Sequence, residues 1–98
     1  MNQRIAIFPG SFDPFTIGHE SIVRRSLGLF DKVIVAVGKN STKATLFSIE
    51  QRVNWIREVF AGDAQVEIDS YEGLTVDYCV KKEARFILRG LRTSSDFG

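Results

Sequence analysis

Residues 9–19 read Pro-Gly-Ser-Phe-Asp-Pro-Phe-Thr-Ile-Gly-His, directly after Arg-Ile-Ala-Ile-Phe at 4–8. An apolar strand runs into a polar turn, and the turn opens a helix with a glycine and a histidine in its first turn. That arrangement suits phosphate. Backbone N–H groups at a helix start lack intrahelical partners, and the helix dipole favours negative charge there. Ser11 adds a hydroxyl, and Gly18 lets a ligand approach the backbone closely. His19 can donate to a phosphoryl oxygen and stabilise charge that develops only in a transition state. The competing reading makes His19 a solvent-exposed helix residue. It is the chain's sole histidine, at a helix start after a buried strand, which favours the chemical reading. Asp13 suits a structural turn as well as a functional role.

Two more segments carry cations. Lys39 and Lys43 lie in the polar stretch 38–47, and Arg89 and Arg92 bracket Gly90-Leu91. Arg89 directly follows an apolar strand, so its guanidinium emerges where that strand ends. Arginine suits bidentate phosphate contacts, and a surface salt bridge is its alternative. Leu74, in Glu72-Gly73-Leu74-Thr75, is either an apolar wall for a ligand or part of the core.

The elements that must position these groups follow from periodicity. Residues 4–8 and 32–37 read as buried strands, 65–69 as an alternating strand and 85–88 as a fourth. The helix expected over 17–29 puts Ile17, Ile22, Val23 and Leu27 on one face, with Thr16 as N-cap. Ser48 and Gln51 form a capping box for a second helix reaching about Phe60, with Ile49, Val53, Ile56 and Phe60 as its buried stripe. A third helix spans 75–83, with Val76, Cys79 and Val80 as its apolar residues. Trp55 reads as packing, within the domain or at a subunit contact, and Cys79 as buried rather than reactive. The order β-α-β-α-β-α-β predicts an α/β fold, a doubly wound parallel sheet with right-handed crossovers. Ligands of such sheets sit beyond the C-terminal strand ends, where the turn 9–16 and the loops 38–47 and 89–96 all emerge.

With 98 residues, one domain is expected. Net charge is +1, which argues against a broad nucleic-acid surface and confines any anion site to a local patch. A single cysteine excludes an intrachain disulfide and fits a reducing compartment. The absence of a signal-like start or of an apolar run of membrane-spanning length leads to the expectation of a cytoplasmic protein without membrane partners.

Thr16-Ile17-Gly18-His19, with its Pro-Gly-Ser-Phe-Asp-Pro lead-in, resembles the signature of the nucleotidyltransferase superfamily. Together with Lys43, Glu72-Gly73-Leu74-Thr75 and Arg89-Gly90-Leu91-Arg92, it is similar to the bacterial phosphopantetheine adenylyltransferases along the whole chain. The resemblance implies a Rossmann-like domain over 1–98, a Mg²⁺ requirement and assembly as a homo-oligomer, a hexamer in that family. It implies adenylyl transfer from ATP to 4′-phosphopantetheine, giving dephospho-coenzyme A and pyrophosphate in coenzyme A biosynthesis. His19, Lys43 and Arg89 would be catalytic. Gly10, Ser11, Phe12, Gly18, His19 and Arg92 would bind ATP. Ser11, Lys43, Leu74, Thr75 and Arg89 would bind phosphopantetheine, and no protein side chain is assigned to the metal. Members of that family continue past Phe97 with further helices, a fifth strand and a serine-rich motif at the nucleotide site. The expectation is therefore a domain incomplete at its C-terminal part. The alternatives are a non-catalytic fragment of that enzyme, or a related transferase acting on nicotinamide mononucleotide. The lack of Gly-x-Gly-x-x-Gly after the first strand argues against a dinucleotide-binding module.

Overall fold

The computed structural model describes residues 3–39 and 45–89. Its elements run β1 (Ile5–Gly10), α1 (Ile17–Ser26), β2 (Lys32–Gly38), α2 (Ile49–Val59), β3 (Val66–Tyr71), α3 (Thr75–Lys81) and β4 (Phe86–Ile87). The strands form one parallel sheet in the order β3-β2-β1-β4. The expected α/β, doubly wound parallel architecture is therefore present. β4 is shorter than expected because only Phe86 and Ile87 pair, with Ala6 and Ile7.

Alternation along the strands sorts the core by face. Phe8, Val33, Val35 and Val37 pack with Val23 of α1 and with Ile56 and Phe60 at α2. Ile7, Ile34 and Ala36 pack on the other face with Tyr78 and Cys79 of α3. The chain steps outward through α1 and α2 on one face, then returns through α3 on the other to place β4 beside β1. The order thus reverses between β1 and β4. At such a switch point the adjoining loops diverge to opposite faces and leave a crevice at the strand ends.

The expected Thr16 N-cap and Ser48–Gln51 capping box both form, and at α1 the His19 side chain completes a second capping box that was not expected. Ser48 Oγ accepts the Gln51 N–H at 3.1 Å, and the Gln51 side chain accepts the Ser48 N–H at 3.1 Å. The helix faces differ in part from the periodicity. Ile17 is 84% exposed, because Val23 is the fully buried residue of α1 and six residues turn Ile17 about 120° away from it. Phe15, just before the helix, fills the core instead. On α3 the buried pair is Tyr78 and Cys79, which leaves Val76 and Val80 exposed on the opposite side. Trp55 is partly exposed and packs edge-on against Phe47, with centroids 5.5 Å apart. Cys79 is buried, and burial pushes its thiol pKa up, away from the reactive thiolate.

Tyr78 carries a second role on the α3 face. Its hydroxyl donates to Asp69 Oδ2 at 2.6 Å, and Lys82 Nζ lies 3.3 Å from the same oxygen. Burial, followed by this bond to Asp69, raises the Tyr78 pKa well above the phenol range. Partial burial of Asp69 disfavours its charge. Its bonds from Tyr78, the Ser70 N–H and Lys82 outweigh that and hold its pKa below the usual carboxylate value. A carboxylate depressed in the folded state stabilises the fold above its unfolded pKa, and that stability is lost as pH falls through the folded value. Tyr78→Phe should therefore lower stability by about 1.5 kcal/mol at pH 7, the low end for a bond to a charge because Asp69 is partly solvated. Urea titrations should show that deficit shrinking as pH drops below about 4; a deficit constant from pH 7 to pH 3 would contradict the assignment.

Candidate active site

The turn between β1 and α1 sits at the switch point. A cavity of about 340 Å³ opens there, walled by residues Phe8 through Pro14 and by His19. Phe12 lies beneath it in a left-handed backbone conformation, φ +49°, rare for a residue with a side chain. Its ring is buried edge-on to Phe8 at 5.1 Å and to Phe15 at 5.3 Å. Gly10 is the glycine this packing demands, since a Cβ there would stand 2.9 Å from the Phe12 ring.

His19 is the N3 residue of α1, and its side chain closes the helix's capping box. The Thr16 N–H donates to Nδ1 at 2.9 Å, and Thr16 Oγ1 lies 3.1 Å from the same nitrogen. A ring nitrogen that accepts carries no proton, so the proton resides on Nε2. Phe8, Phe12 and Phe15 surround the ring at centroid distances of 6.0, 5.0 and 5.3 Å. Tautomer and orientation are thus both fixed before any ligand arrives. The turn presents an N–H donor of known identity, the preorganisation that charge stabilisation requires.

Gly18 behaves differently from Gly10. A Cβ there would meet only Thr16 Oγ1, at an ordinary 3.6 Å. Nothing in the fold requires a glycine at this helical, exposed position, where alanine is favoured by about 1 kcal/mol. Gly18→Ala should therefore raise the melting temperature while crowding the turn as an anion seat and weakening pyrophosphate binding tenfold or more. Thermal melts and calorimetry with pyrophosphate check this; unchanged affinity would remove Gly18 from the site.

The remaining expected residues divide into several groups. Lys43 and Arg92 lie outside the described residues. Extending the β1–β4 register places Arg89 level with Pro9, and Leu88 N–H bonds the Ile7 carbonyl at 2.8 Å. Arg89 is exposed there and is not among the residues that wall the cavity. Leu74 is 69% exposed, which excludes the core alternative. Thr75 is bonded to the Tyr71 hydroxyl at 2.8 Å. Lys39 belongs elsewhere: its N–H bonds the Tyr71 carbonyl, and its side chain flanks cavities beside Ser70.

Two residues of the site exceed what the sequence suggested. Asp13 accepts the N–H groups of Leu46 and Phe47, at 2.5 and 2.9 Å, so the structural side of its two readings is present. Arg52, buried on α2, donates to the Ser11 carbonyl at 2.6 Å. Periodicity gave no signal for Arg52, because a cation at a core-facing helical position resembles a solvated one until its partners are known.

The α/β sheet thus carries, at its switch point, a cavity-lining turn followed by a threonine-capped helix with a histidine at N3. The model of the cytidylyltransferase-like family matches residues 7–98, and the chain belongs to that family. It is 54% identical over 95 residues to phosphopantetheine adenylyltransferase of Flavobacterium psychrophilum, covering 97% of this chain and 63% of that protein. It is 57% identical to the enzyme of the same name from Leptospira biflexa, covering 97% of this chain and 59% of that protein. The chain spans about three fifths of the length of these curated relatives. Among solved structures, a bifunctional NMN adenylyltransferase/ADP ribose pyrophosphatase from Francisella tularensis aligns with a TM-score of 0.69. Identity is 25%, over 98% of this chain and 34% of that one. NadR protein in complex with NAD and AMP-PNP shares the fold, with a TM-score of 0.69 at 16% identity, over 90% of this chain and 31% of that one.

Proposed function

We propose that this protein transfers the adenylyl group of ATP to 4′-phosphopantetheine, releasing pyrophosphate and forming dephospho-coenzyme A. The observation that carries the reading is the fixed His19 imidazole at the wall of the β1–α1 cradle. Identity of 54–57% to phosphopantetheine adenylyltransferases over nearly the whole chain supports the choice of acceptor.

A phosphate oxygen of phosphopantetheine attacks the α-phosphorus of ATP. The bond from that phosphorus to the oxygen bridging the β-phosphorus breaks, and pyrophosphate leaves. The acceptor is already anionic at neutral pH, so no general base is needed. The work is to hold two anions in line and to stabilise charge that spreads in the transition state. The cradle binds the α-phosphate region, with Gly10, Ser11, Phe12 and Gly18 supplying backbone and hydroxyl contacts. His19 Nε2–H donates to the α-phosphoryl oxygens. Lys43 and Arg89 orient the acceptor phosphate, Arg92 contacts the ATP phosphates, and Leu74 and Thr75 line the pantetheine arm.

The described residues do not offer a seat for magnesium. Asp13 is the only carboxylate in the cradle's wall, and its two oxygens accept backbone N–H groups. No cluster of three potential ligands occurs among the described residues. Magnesium therefore belongs to the MgATP substrate in this reading. Action in the cytoplasm as a homo-oligomer, with coenzyme A as a further ligand, is part of the same proposal.

The test is pyrophosphate release from MgATP by the complete encoded polypeptide, with 4′-phosphopantetheine against nicotinamide mononucleotide. Release with phosphopantetheine alone is expected. Release with the mononucleotide alone would shift the acceptor to that of the structurally related enzymes, and release with neither would remove the adenylyl-transfer reading.

A further inference from the structure

We propose that Arg52 and Asp13 are positioning residues that clamp the β1–α1 turn to the entry of α2 and thereby aim the cradle's backbone. The inference rests on the reaction assigned above. Among the described residues no backbone–backbone hydrogen bond ties residues 11–15 to the rest of the fold. Side chains hold the turn instead. Arg52 Nη1 donates to the Ser11 carbonyl at 2.6 Å, while Nε donates to the Phe47 and Ser48 carbonyls at 3.1 and 3.3 Å. From the other side, the Asp13 carboxylate accepts the N–H groups of Leu46 and Phe47. The two struts converge on Phe47, whose ring is packed against Trp55 of α2.

Stability alone does not account for Arg52. It is 5% exposed, and no carboxylate pairs with it among the described residues. Burying a charge costs several kcal/mol, and an apolar residue of similar volume would dock α2 as well or better. What a guanidinium supplies is a fork that fixes several carbonyls at once. Its effect on the turn is directional. The Ser11–Phe12 peptide is trans, so its C=O and N–H point to opposite sides. Anchoring the Ser11 oxygen on Arg52 sets the Phe12 N–H on the side away from α2. It also helps hold Phe12 at its left-handed φ, a conformation that persists only when its surroundings over-determine it. The cation further polarises that peptide and adds positive potential behind the anion cradle.

The experiment compares wild type, Arg52→Lys and Asp13→Asn in the complete encoded polypeptide. Lysine keeps the charge but puts its donors on one atom, without the planar fork that reaches the Ser11 carbonyl from Nη1 and the Phe47 and Ser48 carbonyls from Nε. Arg52→Lys should lower kcat about 30- to 100-fold, as a small misplacement of reacting groups does, with KM for ATP within about threefold. Asp13→Asn, which keeps one acceptor oxygen, should lose about tenfold. Amide exchange should quicken at residues 11–13 and 46–48 and stay at wild-type rates in β2 and α3. A wild-type kcat in both variants, or exchange that rises uniformly over the whole chain, would overturn the clamp. If Arg52→Lys does not fold, Asp13→Asn decides by the same two readouts. If wild type releases no pyrophosphate, the assigned reaction fails separately. The clamp is then judged by exchange and by pyrophosphate binding, which Arg52→Lys should weaken about tenfold; unaltered binding and exchange would overturn it.

Discussion

His19→Ala should lower kcat for pyrophosphate release by two to three orders of magnitude, about 3–4 kcal/mol of transition-state stabilisation, with KM for MgATP changed only a few-fold. The asymmetry follows from the geometry. Ground-state phosphates are also held by the turn's backbone and by other cations, whereas a single oriented N–H matters most where charge develops. The substitution also removes the partner of the Thr16 N–H, so a stability loss of about 1 kcal/mol should accompany it. His19→Gln separates the two effects. The chain already shows that glutamine at N3 completes a capping box, since Gln51 does so for α2. His19→Gln should therefore recover the melting temperature and leave kcat low. Recovery of both would mean that His19 serves the helix start and not the reaction.

The second large effect is on the fold. Ile56 is fully buried between α2 and the sheet, in the cluster that also holds Val35, Val37 and Phe60. Ile56→Ala removes three methyl or methylene carbons from a packed site and should cost about 3–4 kcal/mol. A domain of this size has about 5–15 kcal/mol in total, so the denaturation midpoint should fall steeply. The consequence reaches the site, because Ile56 lies one helical turn beyond Arg52. Loosening α2 loosens the residue that holds the Ser11 carbonyl. Activity should therefore decline with temperature well before global unfolding. A loss below 1 kcal/mol would mean that the sheet does not seal α2 through Ile56.

The family and the proposed reaction rest on short, strongly patterned stretches. The strand 4–8, the turn 9–16 and Gly18-His19 were readable because each residue type has a local reason to be there: an apolar run for a buried strand, threonine for a cap, glycine for open backbone. Leu74 and Ile17 were less readable. An exposed leucine and a buried one look alike in sequence, and hydrophobic periodicity does not say where along a helix the sheet begins. Tyr78 was missed for a related reason. Its ring is core, while its hydroxyl serves Asp69 nine residues away.

The sequence by itself determined the alternation of strands and helices, the Thr16 cap, the Ser48–Gln51 capping box and the position of the one histidine. Those features depend on contacts within about four residues, which local composition encodes. Only the tertiary structure decided which carbonyl the buried Arg52 would serve and which loop Asp13 would fasten. Those partners lie 41 and 33–34 residues away along the chain. It also decided how the His19 ring is enclosed: Phe8, Phe12 and Phe15 surround it at centroid distances of 6.0, 5.0 and 5.3 Å, and Phe8 reaches it from strand β1, beyond the span of any helix-start contact.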